Sequence, residues 1–141
     1  MGLRKFTHQV AEKVRQARGL AMRVKVLIVD DNPGIRRILR RAVAEIAEEI
    51  WDCSDGAQAQ TSYIDCRPDV VLMDIRMPGV DGLEATRQIL RADPSAHVVI
   101  VTDYDDEDLR RAAAEAGACG YSLKEELANL PWTLRSILGT G

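Results

Sequence analysis

The chain has 141 residues, 46% of them apolar, and a formal net charge of −3, which is enough for one domain with a full core and too little for two ordinary ones. No apolar stretch reaches the length of a membrane span and the N-terminus lacks the apolar core of a signal peptide, so a cytoplasmic protein without a membrane span is predicted. Cys53, Cys66 and Cys119 show neither CxxC spacing nor a nearby histidine, which argues against a disulfide framework or a zinc site and leaves them as small buried hydrophobes.

Residues 1–22 form a basic extension in which Arg4, Lys5, Lys13, Arg15 and Arg18 stand against Glu12 alone. Val10, Val14, Ala17 and Ala21 recur there at roughly helical spacing. The segment fits a partner-binding or dimerising helix, a weak anchor on an anionic surface, or a loosely ordered extension. The remainder, residues 23–141, reads as one complete domain, and its acidic balance repels a polyphosphate backbone, which argues against direct contact with nucleic acid.

From Val24 the pattern alternates between strand and helix, as in α/β folds. The run from Val24 to Val29 is a strand. Asn32 then caps a helix that starts at Pro33, where a missing N–H costs nothing, with Ile35, Ile38, Leu39, Ala42, Val43 and Ile46 on one face. Glu49 to Cys53 is a short strand, and Ser54 or Asp55 opens a helix toward Cys66 with a thin stripe of Ala59, Tyr63 and Ile64. Pro68 and Asp69 launch a third strand, which ends at Met73, and Pro78-Gly79 turns the chain. Asp81 and Glu84 are spaced as a capping box for a helix whose Leu83, Ile89 and Leu90 face inward. His97 to Thr102 is the fourth strand. The acidic run Asp105 to Asp108 then suits a helix N-terminus, and Gly117 closes that helix. A last strand, Ala118 to Leu123, precedes a helix beginning near Pro131.

Four of the apolar runs stop at residues with phosphoryl or metal chemistry: Asp30 and Asp31, Asp74, Thr102, and Lys124. In an open parallel sheet the C-terminal strand ends lie side by side and ligands bind just beyond them. The runs therefore bring carboxylates, a hydroxyl and an ammonium to one place, an inventory that suits a divalent cation plus a phosphoryl group.

Val-Asp-Asp-Asn at 29–32, Asp-Ile-Arg-Met-Pro-Gly at 74–79, Asp-Gly at 81–82, Val-Thr at 101–102 and Gly-Tyr-Ser-Leu-Lys at 120–124 together resemble the receiver domain of bacterial two-component response regulators, over about Arg23 to Leu138. The resemblance implies a flavodoxin-like fold, a doubly wound five-stranded parallel sheet of order 2-1-3-4-5 with five helices. It implies Asp74 as phosphoacceptor, and a magnesium ion (Mg2+) held by Asp30, Asp31, Asp74 and the backbone carbonyl of Arg76. Lys124 and Thr102 would contact phosphoryl oxygens, and Thr102 and Tyr121 would form the switch that remodels an output face. The implied partners are a sensor histidine kinase or histidine phosphotransfer protein upstream and a protein target downstream, with pairing of two copies left open.

Taken singly, each residue has a plainer reading: Asp30 and Asp31 as a turn or cap, Asp74 as a turn residue, Thr102 and Tyr121 as structural, Lys124 as a solvated lysine. Departures from the family pattern are Asp103, where a small residue usually follows the threonine, and Glu125, where proline often follows the lysine. The second argues against a cis peptide and leaves Glu125 to Asn129 as a loop. The ending looks like receivers joined to LuxR-type helix-turn-helix domains, yet a receiver alone is expected. Arg76 and Tyr104 flank the route of hydrolytic water to Asp74 and are expected to slow self-dephosphorylation. Arg36, Arg37, Arg40 and Arg41 read as a solvated helix face or, alternatively, a docking face for an acidic partner. The competing functions are a pseudo-receiver interaction module that is not phosphorylated and, last, a metal-dependent phosphatase.

Overall fold

The computed structural model describes residues 23–139, so the readings made for residues 1–22 lie outside the described residues. In chain order its elements are β1 (Val24–Val29), α1 (Pro33–Val43), β2 (Ala47–Cys53), α2 (Ala59–Cys66), β3 (Val70–Met73), α3 (Gly82–Ala92), β4 (Val98–Thr102), α4 (Glu107–Ala116), β5 (Gly120–Leu123) and α5 (Leu130–Leu138). Every strand pairing is parallel and the order is β2-β1-β3-β4-β5, the flavodoxin-like arrangement that the resemblance implies.

Successive strand residues point to opposite faces of a sheet, and here both faces are covered. Leu27, Val29, Val71, Met73, Val98 and Ile100 pack under α2, α3 and α4 through Tyr63, Ile89 and Ala113. Val26, Ile28, Val70, Leu72, Val99 and Val101 pack under α1 and α5 through Leu39, Val43, Leu130 and Leu134. This double burial explains why β1, β3 and β4 are continuous apolar runs rather than alternating ones. Among the described residues no helix is long and apolar enough to cross a membrane.

Local differences from the sequence reading have simple causes. β2 begins at Ala47, two residues before the expected Glu49, because a register shift between Val24 and Lys25 lets Ala47 pair with Val24. α1 ends at Val43, and Ile46 is buried from the following turn. Ile38 and Ile64 are exposed, lying off the inward stripes set by Leu39 and Tyr63. Asp55 caps a short 3-10 turn, Gly56–Gln58, that leads into α2. Asp81 does cap α3, accepting from the Glu84 N–H at 2.9 Å, but the Glu84 carboxylate pairs with Arg91 at 3.0 Å instead of completing the box. Glu125 to Asn129 is not a loop: Lys124–Asn129 forms two 3-10 turns joined at a kink at Glu126, and Leu127 packs against the α1–α5 side of the core. Of the cysteines only Cys53 is buried; Cys66 is half-buried and Cys119 exposed.

Two glycines are required by geometry. A Cβ on Gly82 would sit 1.9 Å from the Asp74 carbonyl oxygen, so only glycine lets the start of α3 tuck beneath the end of β3. Gly117 closes α4 at φ 104, a left-handed conformation that glycine adopts without strain.

Candidate functional site

Backbone ladders run one residue past β1 and β3. The Asp30 N–H donates to the Cys53 carbonyl at 3.1 Å and the Asp74 N–H to the Val29 carbonyl at 2.9 Å, which fixes both aspartates at the C-terminal edge of the sheet. Both are buried, at 1% and 7% exposure, whereas Asp31 is open to solvent. One carboxylate oxygen from each of Asp30, Asp31 and Asp74 lies within 4.8 Å of the others. Lys124 arrives from the end of β5, and its Nζ stands 3.2 Å from both Asp30 Oδ2 and Asp74 Oδ1.

The electrostatics are those of a crowded anionic site. Burial, then repulsion from Asp30, raises the Asp74 carboxyl above the ordinary range, and Lys124 only partly counters them. Burial also works against the Lys124 ammonium, but Asp74 and Asp30 outweigh it and its pKa is raised. Asp30 Oδ1 accepts the Asn32 N–H at 2.9 Å. Asp30 Oδ2 is buried with no directed hydrogen bond and meets Lys124 as an ion-pair contact alone. A buried carboxylate oxygen left short of donors is what a cation would complete.

These groups line a cleft of about 240 Å³ that also takes in Arg76, Thr102, Asp103 and Tyr104. Thr102 is buried, and its Oγ1 accepts the Tyr104 N–H at 3.3 Å, leaving its own hydroxyl proton free to donate. The Arg76 guanidinium stacks 4.4 Å from the Tyr104 ring centroid at the rim. Tyr121 is outside the cleft: its hydroxyl donates to the Tyr104 carbonyl, and the Arg110 guanidinium lies over its ring.

A family model described as the response regulator receiver domain matches residues 26–131. The chain belongs to this family. It is 39% identical to the response regulator GacA of Pseudomonas syringae pv. syringae over 72% of the chain and 48% of that protein. It is also 39% identical to the chemotaxis protein CheY of Halobacterium salinarum, over 73% of the chain and 86% of that protein. A crystal structure of a CheX–CheY–BeF3–Mg2+ complex from Borrelia burgdorferi superposes with a TM-score of 0.75 at 27% identity, covering 82% of this chain and 88% of that one. The chain thus spans about half the length of the GacA relatives it matches.

In this receiver domain Asp30, Asp31, Asp74, Arg76, Thr102 and Lys124 share one cleft, and Tyr121 reaches it only through the Tyr104 backbone. The solvated-face reading of the α1 arginines is corrected for one of them. Arg36 is only 18% exposed and lies 3.6 Å from Asp52, whereas Arg37, Arg40 and Arg41 are exposed, Arg40 pairing with Asp52 at 3.0 Å on the surface. The sequence reading missed Arg36 as part of the site, although the signal was there. Arg36 stands three residues before Leu39 and seven before Val43, inside the buried stripe of α1, where a charge needs a partner.

Proposed function

We propose that the chain is a signalling switch phosphorylated on Asp74 by a histidine kinase or histidine phosphotransfer protein, with residues 23–141 as the receiver unit and residues 1–22 as an appended basic segment. The observation that carries this reading is the approach of Lys124 Nζ to 3.2 Å from both Asp30 and Asp74, with Asp31 in reach of the same point. A hard divalent cation such as Mg2+ fits the donor set: three carboxylates, one with an oxygen lacking a donor, and oxygen ligands throughout. Asp30, Asp31, Asp74 and the Arg76 carbonyl would hold it. When bound, the ion neutralises charge that would otherwise build up where phosphoryl oxygens meet the carboxylates.

The Asp74 carboxylate is the nucleophile. Its O–P bond forms as the P–N bond of a phosphohistidine breaks, and the electron pair returns to the imidazole nitrogen. Lys124 balances charge on one phosphoryl oxygen as a point charge, and the Thr102 hydroxyl donates to another. Turning Thr102 toward the phosphoryl group withdraws its Oγ1 from the Tyr104 N–H. Tyr104 holds Tyr121 through its carbonyl, so the disturbance passes to the α4–β5 surface, where a protein target is recognised. A full reversal of the switch needs about 5.5 kcal/mol of differential stabilisation. A cytoplasmic setting belongs to the same reading.

The test is incubation with acetyl phosphate and Mg2+, followed by peptide mass mapping. Modification at Asp74 that vanishes with EDTA or in Asp74→Asn is expected. No modification would leave a pseudo-receiver interaction module, and continuous phosphate release would indicate a phosphatase.

A further inference from the structure

At the underside of the cleft, where α1 meets β1 and β2, an arginine stands outside the phosphoryl chemistry. The Arg36 Nη1 donates to the Asp30 backbone carbonyl at 2.7 Å. On its other side the guanidinium Nε, buried and without a hydrogen bond of its own, faces Asp52 Oδ2 at 3.6 Å. Asp52 is in turn held by Arg40, whose Nε donates to it at 3.0 Å while Nη2 donates to the Ile50 carbonyl at 3.1 Å. The Asp30 N–H donates to the Cys53 carbonyl and Asp30 Oδ1 accepts the Asn32 N–H, so Asp30 is held at its backbone and its side chain, and of these bonds the one from Arg36 falls on the peptide joining Asp30 to Asp31.

We infer that Arg36 is a positioning residue for the metal, a role that rests on the proposed function: by clamping the Asp30 carbonyl it fixes the Asp30–Asp31 peptide and hence the angle between two of the ligand carboxylates. Asp52 sets the guanidinium, as outer partners of metal ligands commonly do. The opposite sign of two effects makes the inference testable. As a nearby positive charge, Arg36 repels a cation, so a purely electrostatic role predicts tighter binding when it is removed. As a clamp it predicts weaker binding.

The experiment is calorimetric titration of Mg2+ into the full chain, paired with thermal melts with and without the ion. Arg36→Met is expected to weaken Mg2+ binding about 10-fold or more, and Arg36→Lys, which keeps one donor for the carbonyl, recovers part of the loss. Asp52→Asn, on the surface of β2 and far milder for folding, is expected to weaken binding in the same direction. A merely structural role lowers the melting temperature equally in both buffers. The clamp instead shrinks the Mg2+-induced rise. Unchanged or tighter binding in Arg36→Met and Asp52→Asn overturns the inference while leaving the metal reading intact. Absence of binding by the unaltered chain overturns both.

Discussion

The two ends of the sheet each hold aspartates, and they treat them in opposite ways. At the N-terminal edge Asp93 accepts from the Ser95 N–H at 3.0 Å, the Ser95 hydroxyl at 2.7 Å and the Tyr63 hydroxyl at 2.7 Å, and those bonds, Ser95 first, hold its carboxyl below the usual range. Asp69 likewise accepts the Lys25 N–H at 2.8 Å. At the C-terminal edge, among the described residues, Asp74 has only Lys124 as a side-chain donor, faces Asp30, and is pushed up. The lower edge spends its carboxylates on stability. The upper edge keeps them short of donors, so that they remain available to a cation and a phosphorus atom, at a cost in stability without those ligands.

The strongest way to break this contrast is Lys124→Met. It leaves Asp30 and Asp74 buried beside each other with no cation, and in metal-free buffer unfolding stability should fall by roughly 3 kcal/mol, the lower end of the range for breaking a buried ion pair. Mg2+ should restore part of it, whereas a mutation at the lower edge would gain nothing from the ion. Urea denaturation with and without Mg2+ reads both quantities.

A smaller effect is expected at the rim. Tyr104→Ala removes the partner stacked 4.4 Å from Arg76, opens the cleft to water, and should shorten the phosphorylated lifetime several-fold, on the order of 1 kcal/mol in barrier. Decay of the labelled protein measures it, and an unchanged lifetime removes the shielding role.

At the lower edge Tyr63→Phe should cost about 1 kcal/mol at neutral pH, the worth of one hydrogen bond, and leave phosphorylation untouched. Burial, then the bond to Asp93, pushes the Tyr63 hydroxyl up to about 12 from 10.0. The unfolded chain therefore loses that proton first. The stability it confers is complete below about pH 10 and declines as pH rises toward 12, so the two proteins should converge over that interval. Asp93 acts in the other direction: its depressed carboxyl gives stability that is present above the ordinary carboxylate pKa of about 3.9 and is lost as pH falls through the lowered value. Denaturation curves across pH check both limbs, and a pH-independent difference would show that the bond to Asp93 is not the cause.

Much of this was legible from the chain. The apolar runs ending at Asp30, Asp74, Thr102 and Lys124 marked the C-terminal edge of a parallel sheet, because a strand buried on both faces cannot hide its pattern. Asn32, Asp81, the acidic run Asp105 to Asp108 and Gly117 announced helix ends through local chemistry that needs no tertiary partner. Less legible were places where a distant contact overrode the local signal. Where a loop was expected, kinked 3-10 turns place Leu127 against the core. Cys119 looked like core and is exposed. Arg36, one of four similar arginines, shared the buried stripe of α1 with Leu39 and Val43, but its partners Asp30 and Asp52 lie on other segments.

The sequence by itself determined the alternation of strands and helices and which side chains end each strand, since side-chain period and capping are properties of neighbouring residues. Only the tertiary structure decided how near Lys124 comes to two aspartates, that the Tyr104 backbone links Thr102 to Tyr121, and that Arg36 grips the Asp30 carbonyl. Those facts depend on distances between segments far apart in the chain, and such distances are set by how helices seat on the sheet, which no local pattern encodes.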